Sequence, residues 1–579
     1  MQPIIDPRSG DVEDDASSTK SRKLAAIAGS MLAEISFPKL IVAWVLLIGL
    51  PGLLLGLAPP VAWAWLSRVS DKFAAISGIG SLLIFAGILL VGWYGIRPLF
   101  RFMERSFWSL QALAVQPVYA ACREGLSQIA EGFLEPEAKE QDRSRRRAKM
   151  AAVAGFLACA IGVALVALAW PYTQWTATWQ ALSTPSTLLM PALANAITIV
   201  AGYLAAASIV WGLTDAVMEQ PEKFAAFEKS NGDGKRFRIA HLSDLHTVGE
   251  RFGFRIESGR LGPQGNGRLD AVLERLQDLH DHDPLEVILI TGDMTDAGRS
   301  AEWAEFFCSL ARHPRLLERT LILPGNHDLN VADRANPARL ELPTSPRKQL
   351  RQMRVVSAMA AVQGRRAFVC DRAKGEVGPL LADAIEPAGT QMKSLADVGR
   401  FGPSSELSRL WSDVFPLIVP PRDPGGLGII LMNSNAQTNF SFTNALGLVS
   451  ADDVAIACKV IGQYPGTAWI IALHHHLVEY PLPVKAFSER IGTALINGSW
   501  LVRKLRPVAT RVAMMHGHRH IDWIGRIGRL TVISAPSPVM EAKDGDATCF
   551  YVHTVVVRTD GNIALTNPEK VAVAGQALS

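Results

Sequence analysis

Phe237-Arg-Ile-Ala-His-Leu-Ser-Asp-Leu-His246 is the stretch on which the reading of this 579-residue chain turns. Its first six residues predict a buried strand, Phe237–Leu242, running into Ser243. Two metal-ligand side chains, Asp244 and His246, follow at once. Four further blocks repeat the arrangement. Gly292-Asp293 follows the apolar run Glu286–Ile290, and Gly325-Asn326-His327-Asp328 follows Thr320–Leu323. His474-His475-His476 follows Trp469–Leu473, and Gly517-His518-Arg519-His520 follows Arg511–Met515. Side chains two apart on an extended chain point the same way, so Asp244 and His246 are expected to grip one ion together. His518 and His520 repeat that relation. Glycine before a ligand lets the backbone turn where a side chain would obstruct the site. A donor set of Asp, Asn and His suits two divalent ions of intermediate hardness, Mn, Fe or Zn. Any one block is common by chance; the ordered set at strand ends is a strong signal.

With these blocks in place, the stretch from residue 236 to about 560 resembles the calcineurin-like metallophosphoesterases, whose pattern is D-x-H, GD, GNH[DE], H, GHxH. The resemblance implies an α/β fold, a two-sheet β-sandwich flanked by helices in αββα order. It implies that Asp244, His246 and His520 hold one ion and that Asn326, His474 and His518 hold the other. Asp293 would bridge the pair. The family's usual ligand is the first His of the fourth block, His474; a one-residue shift in register would substitute His475. Two such ions acidify a bridging water, giving a hydroxide that attacks phosphorus. His327 is implied as the proton donor to the leaving group, with Asp328 orienting its ring. Asp296 reads as a turn-capping or supporting carboxylate. Arg519 reads as either a substrate-phosphate contact or a solvent-facing residue. His241, His280, His282, His313, His516 and His553 read as structural or surface residues, and His476 stays open.

The N-terminal half is a different kind of chain. Charged residues make up 19% of the whole and mean hydropathy is +0.17. The deficit of charge is concentrated early: none lies between Lys39 and Arg68, between Lys72 and Arg97, or between Lys149 and Asp215. About 20 apolar residues cross a bilayer as a helix, so these gaps predict a membrane domain over 39–214 with four transmembrane helices. Their expected spans are 40–64, 75–96, 150–170 and 188–212, with Pro51 and Pro59 threatening a kink in the first. Arginines and lysines crowd residues 97–149, notably Arg143-Ser-Arg-Arg-Arg-Ala-Lys149, and Lys20, Arg22 and Lys23 precede the first span. The positive-inside rule places these segments and both termini in the cytoplasm. Trp63, Trp65, Trp170, Trp175 and Trp179 fall at expected outer boundaries. The opening residues 1–38 are polar and acidic rather than a cleavable leader. A net charge of +4 leaves a nucleic-acid patch at 143–149 conceivable, yet its position against a span favours anionic headgroups. No specific nucleic-acid partner is inferred. Six cysteines form no CxxC pair, which agrees with a reducing compartment.

Residues 215–235 read as a linker and 561–579 as a tail. Leu269–His280, Ala301–Arg312 and Gln349–Gln363 read as helices, and Ser450 as a helix N-cap. The long stretch 331–425 reads as a helical insertion capping the site. The leading expectation is a membrane-anchored, cytoplasm-facing phosphoesterase acting on a phosphorylated small molecule or lipid headgroup, as an ester, diester or pyrophosphate. Alternatives are a nuclease or protein phosphatase on the same scaffold, or a non-catalytic ligand-sensing module. Oligomeric state is not legible.

Overall fold

The structure is a computed structural model. It describes residues 3–6, 45, 49–75, 116–131 and 140–574, apart from interior breaks at 182–183, 225–226, 229–232, 251–252, 257, 259–261, 334–338, 340, 342–344, 398–403, 439–440, 442–443, 481–494 and 541–545. The described residues fall into two compact units, a helical one within 35–218 and a mixed one from Glu219 onward that also takes in residues 3–6.

In the helical unit, Leu50–Ser70, Asp142–Tyr172 and Ser186–Val217 are long and apolar enough to cross a membrane. The expected span 75–96 lies outside the described residues. Of the first expected span, 40–64, residues 40–44 and 46–48 lie outside the described residues; the helix Leu50–Ala75 continues through Pro59 and Pro60 and past residue 64. Pro60 has no N–H for the carbonyl four residues back, which is that of Gly56. Asn195, fully buried in the helix Pro185–Val217, donates its Nδ2–H to that carbonyl at 3.0 Å and so replaces the lost bond. Gly56 permits the approach, since a Cβ there would lie 1.8 Å from Ala192 O. The helices Glu140–Ala169 and Pro185–Val217 also meet through small residues: a Cβ on Gly155 would lie 2.6 Å from Ser208 O, and one on Gly212 2.8 Å from Ala151 O. Close backbone packing of this kind is what holds apolar helices together in lipid, where burial of apolar surface gives no advantage.

The mixed unit is a two-sheet sandwich flanked by helices, as expected. Among the described residues one sheet has nine strands, in the order Pro221–Lys223, Trp523–Ile527, Leu530–Ser534, Val512–His516, Ala468–Ala472, Leu427–Leu431, Leu417–Val419, Phe368–Asp371, Glu376–Leu380. The other has six: Ile563–Leu565, Thr548–Val557, Lys235–Leu242, Val287–Ile290 and Thr320–Ile322 in order, with Glu569–Val573 pairing to Thr548–Val557. The central strands of both are parallel and covered on both faces, which is why they read as unbroken apolar runs such as Val287-Ile-Leu-Ile290. The helix Gly267–His282 buries Leu269, Val272, Leu273 and Leu276 at helical spacing. Ser450 caps the helix Ala451–Gln463 by accepting from Asp453 N at 3.4 Å.

Three boundaries differ from the sequence reading. The stretch 331–425 is not purely helical: beside the helices Pro346–Gln363, Gly389–Asp397 and Ser405–Val414 it supplies three strands that extend the larger sheet. Those strands are three to five residues long, too short to show a period. Within the linker, Pro221–Lys223 pairs with Trp523–Ile527 and Phe224 is buried in the core. The supposed tail carries Glu569–Val573, whose Val571 and Val573 are buried.

Candidate metal centre

The parallel strands deliver their C-terminal ends to one place. The turn after Lys235–Leu242 is sewn to the turn after Val287–Ile290, with Asp244 N donating to Gly292 O at 3.0 Å and His246 N to Asp293 O at 2.9 Å. The pairing of Asp244 with His246 does not come from extended backbone, however. Asp244, His246, Asp293, His518 and His520 all adopt left-handed φ values, between 44° and 78°, and are the only non-glycine residues in the described chain to do so. Such a conformation costs about 1–3 kcal/mol at each non-glycine residue and concentrates where function demands it. Five of the seven expected ligands carry it. Gly292 is left-handed too, at φ 101°. Gly325 and Gly517 are required instead for closeness: a Cβ on the first would lie 2.0 Å from Asp293 Oδ1, and on the second 1.7 Å from Ser243 Oγ.

These turns bring all seven expected ligands together. Among the described residues, donor atoms converge in three sets: Asp244, His246 and His520; Asp293, His474 and His518; and His246, Asp293 and His327. Asp244 Oδ1 lies 3.4 Å from His520 Nε2. Asp293 Oδ2 lies 3.7 Å from His246 Nε2 and 3.2 Å from His474 Nε2, so it stands between the first two sets. Asn326 Oδ1 and His518 Nδ1 approach the same His474 Nε2, at 3.0 and 3.1 Å. Asp244 Oδ1, His246 Nε2 and His518 Nε2 are buried without a hydrogen-bond partner. Buried polar atoms are rarely left so, and this donor set fits two divalent ions.

Hydrogen bonds decide which ring nitrogens are available. A backbone carbonyl can only accept, so His474 Nδ1, 2.8 Å from Thr291 O, carries the hydrogen and leaves Nε2 facing the cluster. His246 Nδ1 is likewise held by Asp296 Oδ1 at 3.3 Å. His475 is different. Ser434 Oγ accepts from the backbone N–H of both His474 and His475, at 3.1 Å each, and its own hydrogen is directed to His475 Nδ1 at 2.9 Å. That leaves His475 Nε2 protonated and unsuited to a metal. His474→Ala is therefore expected to remove far more metal than His475→Ala, read by elemental analysis of the two purified variants; the reverse ranking would reassign the ligand.

The charges are arranged to match. Burial opposes ionisation of Asp244, yet the imidazoles of His520, His474 and His246 hold its carboxyl well below the usual range. Asp293 is lowered similarly against burial by His474, His327 and His246. His474, though fully buried, is raised to about 9 by Asp293 and Asp244. His518 is pushed well down by burial and by His475 and His474. The cluster balances its carboxylates with protons that a cation can replace.

His327 sits at the edge of this cluster, its ring edge-on to that of His246 with centroids 4.6 Å apart. Its backbone N–H donates to Asp293 Oδ1 at 2.8 Å. The ring is oriented by Asp296, whose backbone O accepts from Nδ1 at 2.7 Å. Asp328 has another task from the one expected: Oδ1 accepts from Thr295 N and Oγ1 at 2.9 and 2.6 Å, and Oδ2 from Gly325 N at 2.9 Å. It clamps the turn that carries Asn326 and His327. Burial and the charge of Asp293 raise its carboxyl to about 6. Asp296, read from the sequence as a turn-capping or supporting carboxylate, also accepts from Ile256 N through Oδ2 at 2.8 Å. Ser434 lies three residues beyond the parallel strand Leu427–Leu431, and that position at a strand end is the signal the sequence offers for it. Arg519 faces neither open solvent nor a void: its guanidinium donates to Glu479 at 2.7 Å, and Glu479 lies 3.3 Å from His476 Nε2. Away from the cluster, burial pushes His516 down to about 3 and His553 to about 4, and His280 Nδ1 accepts from Leu285 N at 3.1 Å.

A two-sheet sandwich with a cluster of this kind at its strand ends is the architecture of a binuclear metallophosphatase. Residues 237–435, about a third of the chain, match the family model for the calcineurin-like phosphoesterases, so this stretch is similar to a metal-dependent phosphoesterase domain. The match takes in the first three blocks; the last two, His474 and His518 to His520, are joined to them by the geometry above. Among solved structures, the chain is similar to a dimetal phosphatase from Danio rerio, at 12% identity and TM-score 0.32 over 59% of this chain and 99% of that one. It is similar also to a 5'-nucleotidase from Staphylococcus aureus, at 12% identity and TM-score 0.27 over 59% and 55%. A purple acid phosphatase from yellow lupin follows at 10% identity and TM-score 0.26 over 59% and 55%. No curated protein sequence matches the chain significantly.

Proposed function

We propose that this protein is a membrane-anchored phosphoesterase, its catalytic domain in the cytoplasm, that hydrolyses a phosphate ester, phosphodiester or pyrophosphate of a small molecule or lipid headgroup. The observation that carries the reading is the pair of donor sets with Asp293 between them. In this reading Asp244, His246 and His520 hold one ion, Asn326, His474 and His518 the other, and Asp293 both. The ions, when bound, would neutralise the phosphoryl oxygens and acidify water for attack on phosphorus. Asp296 keeps His246 aligned through Oδ1 and fixes the His327 ring through its carbonyl. With Nδ1–H committed to that carbonyl, the imidazolium form of His327 has its Nε2 proton to give to the departing oxygen, which supports the general-acid role. Asp328 holds the turn on which His327 sits.

Hydrolysis of a panel of phosphate esters, diesters and pyrophosphates by the detergent-purified full chain, before and after chelation and with Mn, Fe or Zn restored, tests the reading. Activity that disappears with the metals and returns with one of them is expected; hydrolysis indifferent to chelation would overturn it.

Three helices of spanning length and the Arg/Lys bias of residues 97–149 support the anchored, cytoplasm-facing arrangement. With the span expected at 75–96 the crossings are even in number, so a fluorescent reporter fused after Ser579 is expected to report the cytoplasmic side. An extracytoplasmic reading would mean a miscounted span and extracytoplasmic substrates.

A further inference from the structure

The helix Glu140–Ala169 begins with two charged turns and continues as an apolar span, and its cations are sorted into two groups. Arg143 and Arg147 turn toward the neighbouring helix Gln116–Glu131, where both pair with Glu131, Arg143 at 3.9 Å. The same neighbour is fastened by Arg123 to Asp215 at 3.0 Å. Arg145, Arg146 and Lys149 face outward and are exposed. Arg146 makes one long bond, to Ala130 O at 3.4 Å, and Asp142 is the acidic residue on this face. Among the described residues, three cations stand against one carboxylate on this face.

What lies beneath them matters as much. On a helix, residues three and four apart share a face. Arg146, Lys149, Val153, Phe156 and Leu157 therefore form one stripe, with Ile161 a turn further on. Val153 is 47% exposed, Phe156 56%, Leu157 45% and Ile161 46%. From Lys149 to Ile161 the rise is about 18 Å, on the order of an acyl chain. Cations sit at one end of an exposed apolar stripe, so the surface is amphiphilic in the same sense as a phospholipid.

We propose that this stripe is a binding site for an anionic phospholipid. Its phosphate is held by Arg145, Arg146 and Lys149, and an acyl chain lies along Val153, Phe156, Leu157 and Ile161. The proposal rests on the membrane-anchored reading above. It goes beyond that reading in naming one helix face and one class of lipid. The division of labour among the cations supports a discrete site: Arg143 and Arg147 both lean on Glu131, and among the described residues of this helix end Arg145, Arg146 and Lys149 face outward. A generally attractive membrane surface would need no such sorting.

The test uses the full chain extracted from membranes, offered equal amounts of phosphatidylglycerol and phosphatidylcholine, with bound lipid counted by native mass spectrometry. About tenfold enrichment of phosphatidylglycerol is expected. The triple variant Arg145→Gln, Arg146→Gln, Lys149→Gln is expected to bind both lipids nearly equally, while its metal content and its turnover of a soluble ester stay at wild-type level. Should the triple variant be poorly made, Arg146→Glu alone is expected to reduce the enrichment by several-fold. Glycerol phosphate, which has the headgroup charge but no tail, is expected to compete poorly; full competition by it would reassign the face to free phosphates. Equal binding of both lipids by the wild type, or undiminished enrichment in the variants, overturns the site. A chain recovered without detergent from the soluble fraction would instead overturn the membrane reading itself.

Discussion

Asp293→Asn is expected to lose both metal ions and, with them, activity. One carboxylate stands between the two donor sets, Oδ2 being 3.2 Å from His474 and 3.7 Å from His246. An amide keeps the shape but removes the charge on which two cations depend. It also keeps an oxygen able to accept from His327 N, as Oδ1 does at 2.8 Å, so the turn and the fold should survive. Elemental analysis of the folded variant decides the matter. Metal content falling to that of a chelated control supports the shared ligand. Retention of one full equivalent would mean that Asp293 belongs to one ion only, and retention of both would end the two-ion arrangement as proposed.

His327→Ala should cost about 10²–10⁴-fold in turnover of a substrate whose leaving group is a poor one, because that departing oxygen needs a proton. A nitrophenyl ester needs little help and should lose much less. Metal content separates this role from another. His327 comes within ligand range of His246 and Asp293, so a variant that loses metal as well as activity would make it a ligand instead. Equal losses on both substrates with metal retained would remove it from proton transfer. Asp296→Asn should weaken both functions in part, since that residue holds His246 by its carboxylate and His327 by its carbonyl.

These predictions differ in how far the sequence alone could support them. The strands that carry Asp244, Asp293, Asn326 and His474 were legible because a strand covered on both faces must be an unbroken apolar run, and the chain has such a run before each block. The kinds of candidate donor were legible because divalent ions accept few side chains. The helices Gly267–His282 and Pro346–Gln363 were legible from their period, and three helices long and apolar enough to span a membrane from their freedom from charge. The span expected at 75–96 falls outside the described residues.

Other features depended on contacts between residues far apart in the chain. The proposed preference for His474 over His475 rests on Ser434, about forty positions away, and on the carbonyl of Thr291, nearly two hundred away. The partner of the His327 ring is Asp296, not its neighbour Asp328, because the turn places a backbone carbonyl where sequence adjacency suggested a carboxylate. Continuity of the helix Leu50–Ala75 past Pro59 and Pro60 is supported by Asn195 reaching Gly56 from another helix. Short strands in 331–425 and beyond residue 560 exist because a sheet edge was there to pair with them. What the sequence by itself determined were the features local chemistry enforces: hydrophobic period, charge-free length and the kinds of metal donor. Only the tertiary structure decided which nitrogen, which carbonyl and which edge each group meets, because a hydrogen bond depends on distances of a few tenths of an ångström that no local pattern encodes.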